Sequence, residues 1–227
     1  MLRQGRAGRR VRLALAAAVA AAVLGSGIAF AASATIVGTG GDVYSPTDYN
    51  ADQGEVSQLQ VTGSNHNVTA RQNGPDGKAL FRSATITGGT TAVNGTQFLS
   101  TGDYAFFCTI HPSTMSGTLH VSANGTPVPR PQATLKLKRK SLSTAIRRGI
   151  LVAITTSAKI DDAPLIAKLG KSTIGKATVS LAAGSQTDVI KLTKSGKSKL
   201  AGRGSAKVTV TAQIPFGSPA STKATLS

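Results

Sequence analysis

The stretch CTIHPSTMSG (108–117) gathers Cys108, His111 and Met115 within eight consecutive positions. The whole chain of 227 residues has one cysteine, three histidines and two methionines, one of them the initiator. A thiol, an imidazole and a thioether at this spacing form a set of soft metal ligands. In the preceding LSTGDYAFFC (99–108), Tyr104, Phe106 and Cys108 fall on one side of a strand of period two, so the sulfur is expected among aromatic rings. The chain turns through Thr109-Ile110, and Pro112 helps fix the following loop, which brings His111 and Met115 back towards Cys108. A fourth ligand must come from another element. His120 alternates with Leu119 and Val121 and reads as a structural or solvent-facing strand residue. That leaves His66, in GSNHNVTARQ (63–72), directly after the alternating EVSQLQVTGS (55–64).

Two histidines and a cysteine in a trigonal arrangement, with a weak axial methionine, define a blue-copper electron-transfer site. Thiolate and thioether favour Cu(I) and imidazole accommodates Cu(II), so one copper ion can change oxidation state with little rearrangement. Zinc can take the same ligands, but it has no redox chemistry and no need of a thioether. Taken singly, each residue has a plainer reading. Cys108 could be a buried thiol acting as a small hydrophobe, His66 a turn histidine capping a strand, and Met115 a loop residue packed over the site without ligating.

The paired motifs HNV (66–68) and GDYAFFCTIHPSTMSGTLHV (102–121) resemble the cupredoxins, specifically the small plastocyanin, amicyanin and pseudoazurin type. The resemblance covers roughly residues 35–122. It implies a Greek-key β-sandwich, with His66, Cys108, His111 and Met115 as the ligands of a single copper. It also implies that Asn67 braces the two ligand loops, and that electrons enter at the exposed edge of His111. The three residues between His111 and Met115 depart from the family's usual spacing. Phe107 stands where plant plastocyanins carry a tyrosine, so no partner site is expected there.

Residues 1–12 hold five arginines and no acid, and LALAAAVAAAVL follows. This is the charged region and apolar region of a secretory signal, ending at Ala29-Phe30-Ala31 or Ala32-Ser33-Ala34. The expectation is a signal over 1–34 and an exported protein. An uncleaved membrane anchor is the alternative, since no charge occurs between Leu13 and Gly41. In an oxidising compartment a lone cysteine needs protection other than a second thiol, which a metal supplies.

ANGTPVPRPQ (123–132) reads as a proline-bearing linker between two electrostatically different halves. Residues 35–129 have three Lys/Arg against six Asp/Glu, a net charge of −3; residues 130–227 have eighteen against three, a net of +15. The second half alternates at Leu135/Leu137, Ile150/Val152/Ile154, Leu165/Ala167/Leu169, Ala177/Val179/Leu181, Ile190/Leu192 and Val208/Val210/Ala212, with STKATLS at the end. About seven short strands separated by Gly/Ser/Asp turns predict an immunoglobulin-like β-sandwich over 133–227. The fold class is therefore all-β, two sandwiches in series. No catalytic constellation is visible. With only His120 left over, a second metal centre cannot be assembled, so an enzyme is not expected. Copper storage or delivery is the rival to electron transfer, although exposed Met/His clusters and paired cysteines are missing. Phe216 is the one aromatic after residue 130, which argues against base stacking and nucleic-acid binding. Redox proteins are the expected partners of a monomer, with anionic cell-wall polymers or lipid headgroups as partners of the +15 half.

Overall fold

In the computed structural model the described residues are 32–227; the expected export segment up to residue 31 lies outside them. The strands of the first half are short, because Gly, Asn and Asp punctuate them every few residues. They are β1 Thr35–Gly38, β2 Asp48–Asp52, β3 Gln58–Val61, β4 Thr69–Ala70, β5 Arg82–Ser83, β6 Gly89–Asn94, β7 Gly102–Phe107 and β8 Ser116–Ser122. One ladder joins them in the order β1-β3-β6-β5-β4-β7-β8-β2. Its two end strands are consecutive in sequence, and Val37 N–H of β1 donates to the Tyr49 hydroxyl of β2 (3.0 Å), so the ladder rolls over a single core. Ile36, Leu59, Val68, Phe81, Phe106 and Leu119 fill that core. Phe106 is its hub, with the rings of Tyr44, Tyr49 and Phe81 at centroid distances of 5.0, 6.1 and 6.3 Å. Such tilted and edge-on contacts suit the quadrupoles of the rings. As expected from the period of two, Phe106 and Cys108 are buried and Tyr104 packs against the same cluster.

The second half has β9 Ala133–Leu137, β10 Ile150–Thr156, β11 Ile160–Leu169, β12 Ser172–Leu181, β13 Gly184–Ile190, β14 Ala206–Ala212 and β15 Ala220–Leu226. Three of them form one sheet, β13-β10-β9, and four the other, β12-β11-β14-β15. Neighbouring strands run antiparallel throughout. Seven strands in an immunoglobulin-like sandwich enclose a second apolar cluster centred on Val152, Ile154, Leu165, Ile174, Val208 and Val210. Two helices interrupt the strands, α1 Leu142–Arg148 and α2 Lys194–Leu200. Each begins at a hydroxyl cap: Ser141 accepts the Thr144 N–H and Thr193 the Gly196 N–H. Seven residues make too short a helix to impose a 3.6-residue period on the strand pattern around it. The segment 123–132 has no helix or strand, yet it is packed against its surroundings: Pro131 is buried.

Phe216 bridges the two halves at their junction. It occupies the left-handed region at φ +61°, in the turn between β14 and β15. Its N–H donates to Asp76 Oδ2 (3.1 Å), and its carbonyl accepts from Arg130 Nη1 (3.0 Å). The Arg82 guanidinium lies 4.2 Å over its ring, and the Phe98 ring is 6.0 Å away. Gly95, at φ +103°, completes the socket; a Cβ there would stand 2.7 Å from the Phe216 ring. Asp76 also binds Arg82 Nη2 (3.1 Å). Burial opposes ionisation of Asp76, but the Phe216 and Lys78 N–H groups and Arg82 outweigh it and hold the carboxyl below its usual range.

A depressed pKa means that the carboxylate's stabilisation is present above the unfolded value of about 4 and is lost as pH falls through the lower folded value. Asp76→Asn is therefore expected to cost about 2 kcal/mol at neutral pH, the size of a charge-assisted hydrogen bond. The deficit should close on acidification below pH ~4. Denaturant melts of both proteins across pH check it, and a deficit constant down to strong acid would remove the carboxylate's charge from the explanation.

Candidate metal centre

The β7–β8 hairpin presents three of the four sequence-predicted ligands. Phe107 pairs with Ser116 at its last register position, and the chain between them forms a loop closed by Cys108 N–H on Met115 O (3.0 Å). Met115 N–H donates to His111 O (2.9 Å) within the loop, so the three intervening residues make one tight turn. That turn accommodates the unusual spacing and leaves Met115 fully buried.

His66 comes from the chain between β3 and β4, bridged to Ile86, and is fully buried. Nδ1 or Nε2 of His66 and of His111, together with Cys108 Sγ, lie within 4.8 Å of one another. Cys108 Sγ and His111 Nδ1 are 4.0 Å apart, and the two imidazole rings are 5.1 Å apart at an interplanar angle of 66°. His66 Nε2 sits 2.9 Å from Thr39 O. A carbonyl only accepts, so Nε2 carries the proton and Nδ1 carries the free lone pair. Nδ1 is buried and has no hydrogen-bond partner. Leaving such an atom unpaired is unfavourable by a kilocalorie or more, unless a cation takes the lone pair. Residues and cation fit: thiolate, two imidazoles and a thioether are a donor set for copper. Met115 reaches the same place, since a Cβ on Gly38 would meet both His66 Cδ2 (3.0 Å) and Met115 Cε (3.1 Å).

Asn67 ties the ligand segments together. Its Nδ2 donates to Thr85 Oγ1 (2.9 Å) and Thr109 Oγ1 (2.7 Å), and its Oδ1 accepts the Thr109 N–H (3.0 Å). Its carbonyl accepts from the Tyr44 hydroxyl. Burial, followed by the neighbouring Cys108 sulfur, pushes that hydroxyl well above the usual phenol range, so Tyr44 is a donor. His120 stands apart from this cluster, on β8 at the sheet surface. Its Nδ1 lies 2.7 Å from Asp103 Oδ1 and its Nε2 3.4 Å from Asp48 Oδ1. Asp103 first and Asp48 second raise its pKa.

One residue beside the centre was not singled out by the motifs. Asp42 Oδ1 is 3.5 Å from His111 Nε2 and 3.9 Å from His66 Nε2. It precedes His66 by more than twenty residues, and its only local signal is a glycine pair before it.

Residues 31–122 match the family described as copper binding proteins, plastocyanin/azurin family. No curated protein matches the chain. Among solved structures, a purple cupredoxin from Nitrosopumilus maritimus is 25% identical, with 40% of this chain and 100% of that one covered and a TM-score of 0.33. Amicyanin from Paracoccus versutus is 27% identical over 40% of this chain and 81% of its own, with a TM-score of 0.32. Auracyanin A from Chloroflexus aurantiacus is 17% identical over 40% and 98%, with a TM-score of 0.33. On the family match, residues 31–122 form a cupredoxin domain, and copper is the ion that this family is described as binding.

Partners of metal ligands typically contribute ten- to a hundredfold to metal affinity. Asn67→Ala frees Thr109 while leaving every candidate ligand in place, so copper affinity is expected to fall by about tenfold or more. Competition with a chelator measures it; unchanged affinity would reduce Asn67 to a packing residue.

Proposed function

We propose that this chain is an exported blue-copper protein that carries single electrons between redox proteins. One copper would be held by His66, Cys108, His111 and Met115, with Asn67 bracing the ligand segments. The observation that carries the reading is the buried, unpartnered Nδ1 of His66 beside Cys108 and His111. When bound, copper supplies a Cu(I)/Cu(II) couple. The protein's part is to hold the ligands in one geometry and to keep water out. The tight Cys108–Met115 loop, Thr39 O on His66 and Asn67 on Thr109 do the first, and the Phe106 aromatic cluster does the second. The exposed edge of His111 is the point at which electrons enter the centre. His111 is 23% exposed, and the adjoining Ile110 and the nearby loop residue Val43 are exposed apolar side chains that suit a transient protein contact. Among the described residues no helix is long and apolar enough to cross a membrane. Ala32 and Ala34 are engaged in the fold through Asp52 and Gln58, which favours export processing after Ala31 over processing after Ala34. We take residues 35–122 and 133–227 as two domains of a monomer, joined by 123–132.

A second observation bears on the basic domain. Lys136, Lys140, Lys207 and Lys223 surround one open cleft of about 450 Å³ where β9, β14 and β15 meet. None of the four is in an ion pair among the described residues, where Lys159 is the lysine that has one. Converging unpaired ammonium groups favour an anionic ligand, and we propose that this face docks on anionic cell-wall polymers or lipid headgroups.

Copper titration of the full chain tests the first reading. One equivalent is expected to give an intense visible charge-transfer band and a reversible one-electron wave, and Cys108→Ser should abolish both. A colourless protein that takes only Cu(I) would instead favour storage or delivery. For the second reading, binding to envelope fragments and to anionic vesicles at low salt should weaken at least tenfold in the Lys136, Lys140, Lys207 and Lys223→Gln quadruple variant. Wild-type binding that is insensitive to salt would sink the electrostatic account.

A further inference from the structure

We infer that Asp42 is a positioning residue for His111, and that its carboxylate biases the centre towards the oxidised ion. This rests on the proposed ligand set. The loop between β1 and β2 carries two groups that face the two imidazoles. Thr39 O takes the Nε2 proton of His66, and three residues later Asp42 Oδ1 stands 3.5 Å from Nε2 of His111. The loop is internally fixed. Thr39 N–H donates to Val43 O (3.1 Å) and Asp42 N–H to Thr39 O (3.2 Å). It is also tied to the ligand loop itself, because Thr114 Oγ1 donates to Asp42 O (3.4 Å).

Three facts single out the carboxylate. Oδ1 is shielded from water and has no hydrogen-bond partner, a costly state for a charged oxygen. The nearest charge-compatible groups are the two imidazole edges, and the His66 proton is already committed to Thr39. The His111 edge therefore remains for Asp42, at an ion-pair distance of 3.5 Å. A carboxylate facing Nε2 keeps the proton there and the Nδ1 lone pair directed at Cys108, the same tautomer that Thr39 selects in His66. Asp42 also holds its loop in the left-handed region, at φ +56°, where Asp and Asn are tolerated better than most side chains.

The electrostatic consequence has a definite sign. An anion beside a ligand ring attracts a doubly charged ion more than a singly charged one, so Asp42 stabilises Cu(II) over Cu(I) and lowers the potential. Asp42→Asn keeps the shape and the backbone preference and removes only the charge. In the copper-loaded full chain this variant is expected to lower the Cu(II)/Cu(I) affinity ratio about tenfold. For a one-electron couple that raises the potential by about 59 mV, with the visible band retained. Asp103→Asn, which removes a charge paired with the remote His120, serves as the control and should move the potential by less than a third as much. In addition, ¹⁵N spectra of the metal-free protein should show His111 protonated at Nε2 in the wild type and a mixed tautomer in Asp42→Asn. A potential unchanged in Asp42→Asn, or shifted equally in Asp103→Asn, overturns the inference. A wild type without band or wave would instead overturn the ligand set on which the inference rests.

Discussion

The first domain is organised around an unsatisfied nitrogen. His66 is completely buried beside Cys108 and His111, with one ring nitrogen bonded to a carbonyl and the other left with no partner of its own. A desolvated lone pair of this kind is tolerable when a cation meets it, and its direction is then fixed by the bond on the opposite side of the ring. The neighbouring structure can be understood from that requirement. The β1–β2 loop supplies the carbonyl, Asn67 pins the Cys108 loop next to it, and Phe106 with its three ring contacts keeps solvent out from beneath.

The two cores differ in how they are filled. The first relies on a few large rings about a hub and buries polar groups at one end; the second relies on β-branched and aliphatic residues with lysines on the wet faces. That division matches the charges. The half that holds the candidate metal centre carries a net negative charge, and eighteen of the twenty-one Lys/Arg after residue 34 lie in the half with no such centre. Close packing of cationic side chains about the candidate ligands would disfavour a bound cation, and here the carboxylate of Asp42 stands at their edge.

Much of this architecture was legible in the residues. Alternation at Val208/Val210/Ala212 and its counterparts located six strands of the second sandwich, because a two-residue period survives even in strands of seven residues. Ile190/Leu192 touched only the end of β13, whose Gly184–Val189 stretch is mostly polar. His66, Cys108, His111 and Met115 were legible as a group because soft ligands are scarce in this chain. Other features had no periodic trace. Strands β4 and β5 have two residues each, too few to alternate, and α1 and α2 are single short helices announced only by Ser141 and Thr193. Asp42 was hidden because its role depends on a loop closing over residues far away in sequence. Phe216 carries two signals: a lone aromatic in an otherwise aliphatic half argues against stacking on bases, and a solitary large ring also needs a socket somewhere.

That socket has a mechanical meaning. Phe216 is gripped by a carboxylate, two guanidinium groups, a second ring and a glycine with no room for a side chain. Its grip makes the junction a keyed joint and not a swivel. Torque applied to the second sandwich passes into the first through Phe216 and the groups that hold it, so an anchored basic domain would set the compass bearing of the redox edge. Encounter with a partner would then be a search over position, with orientation largely settled in advance.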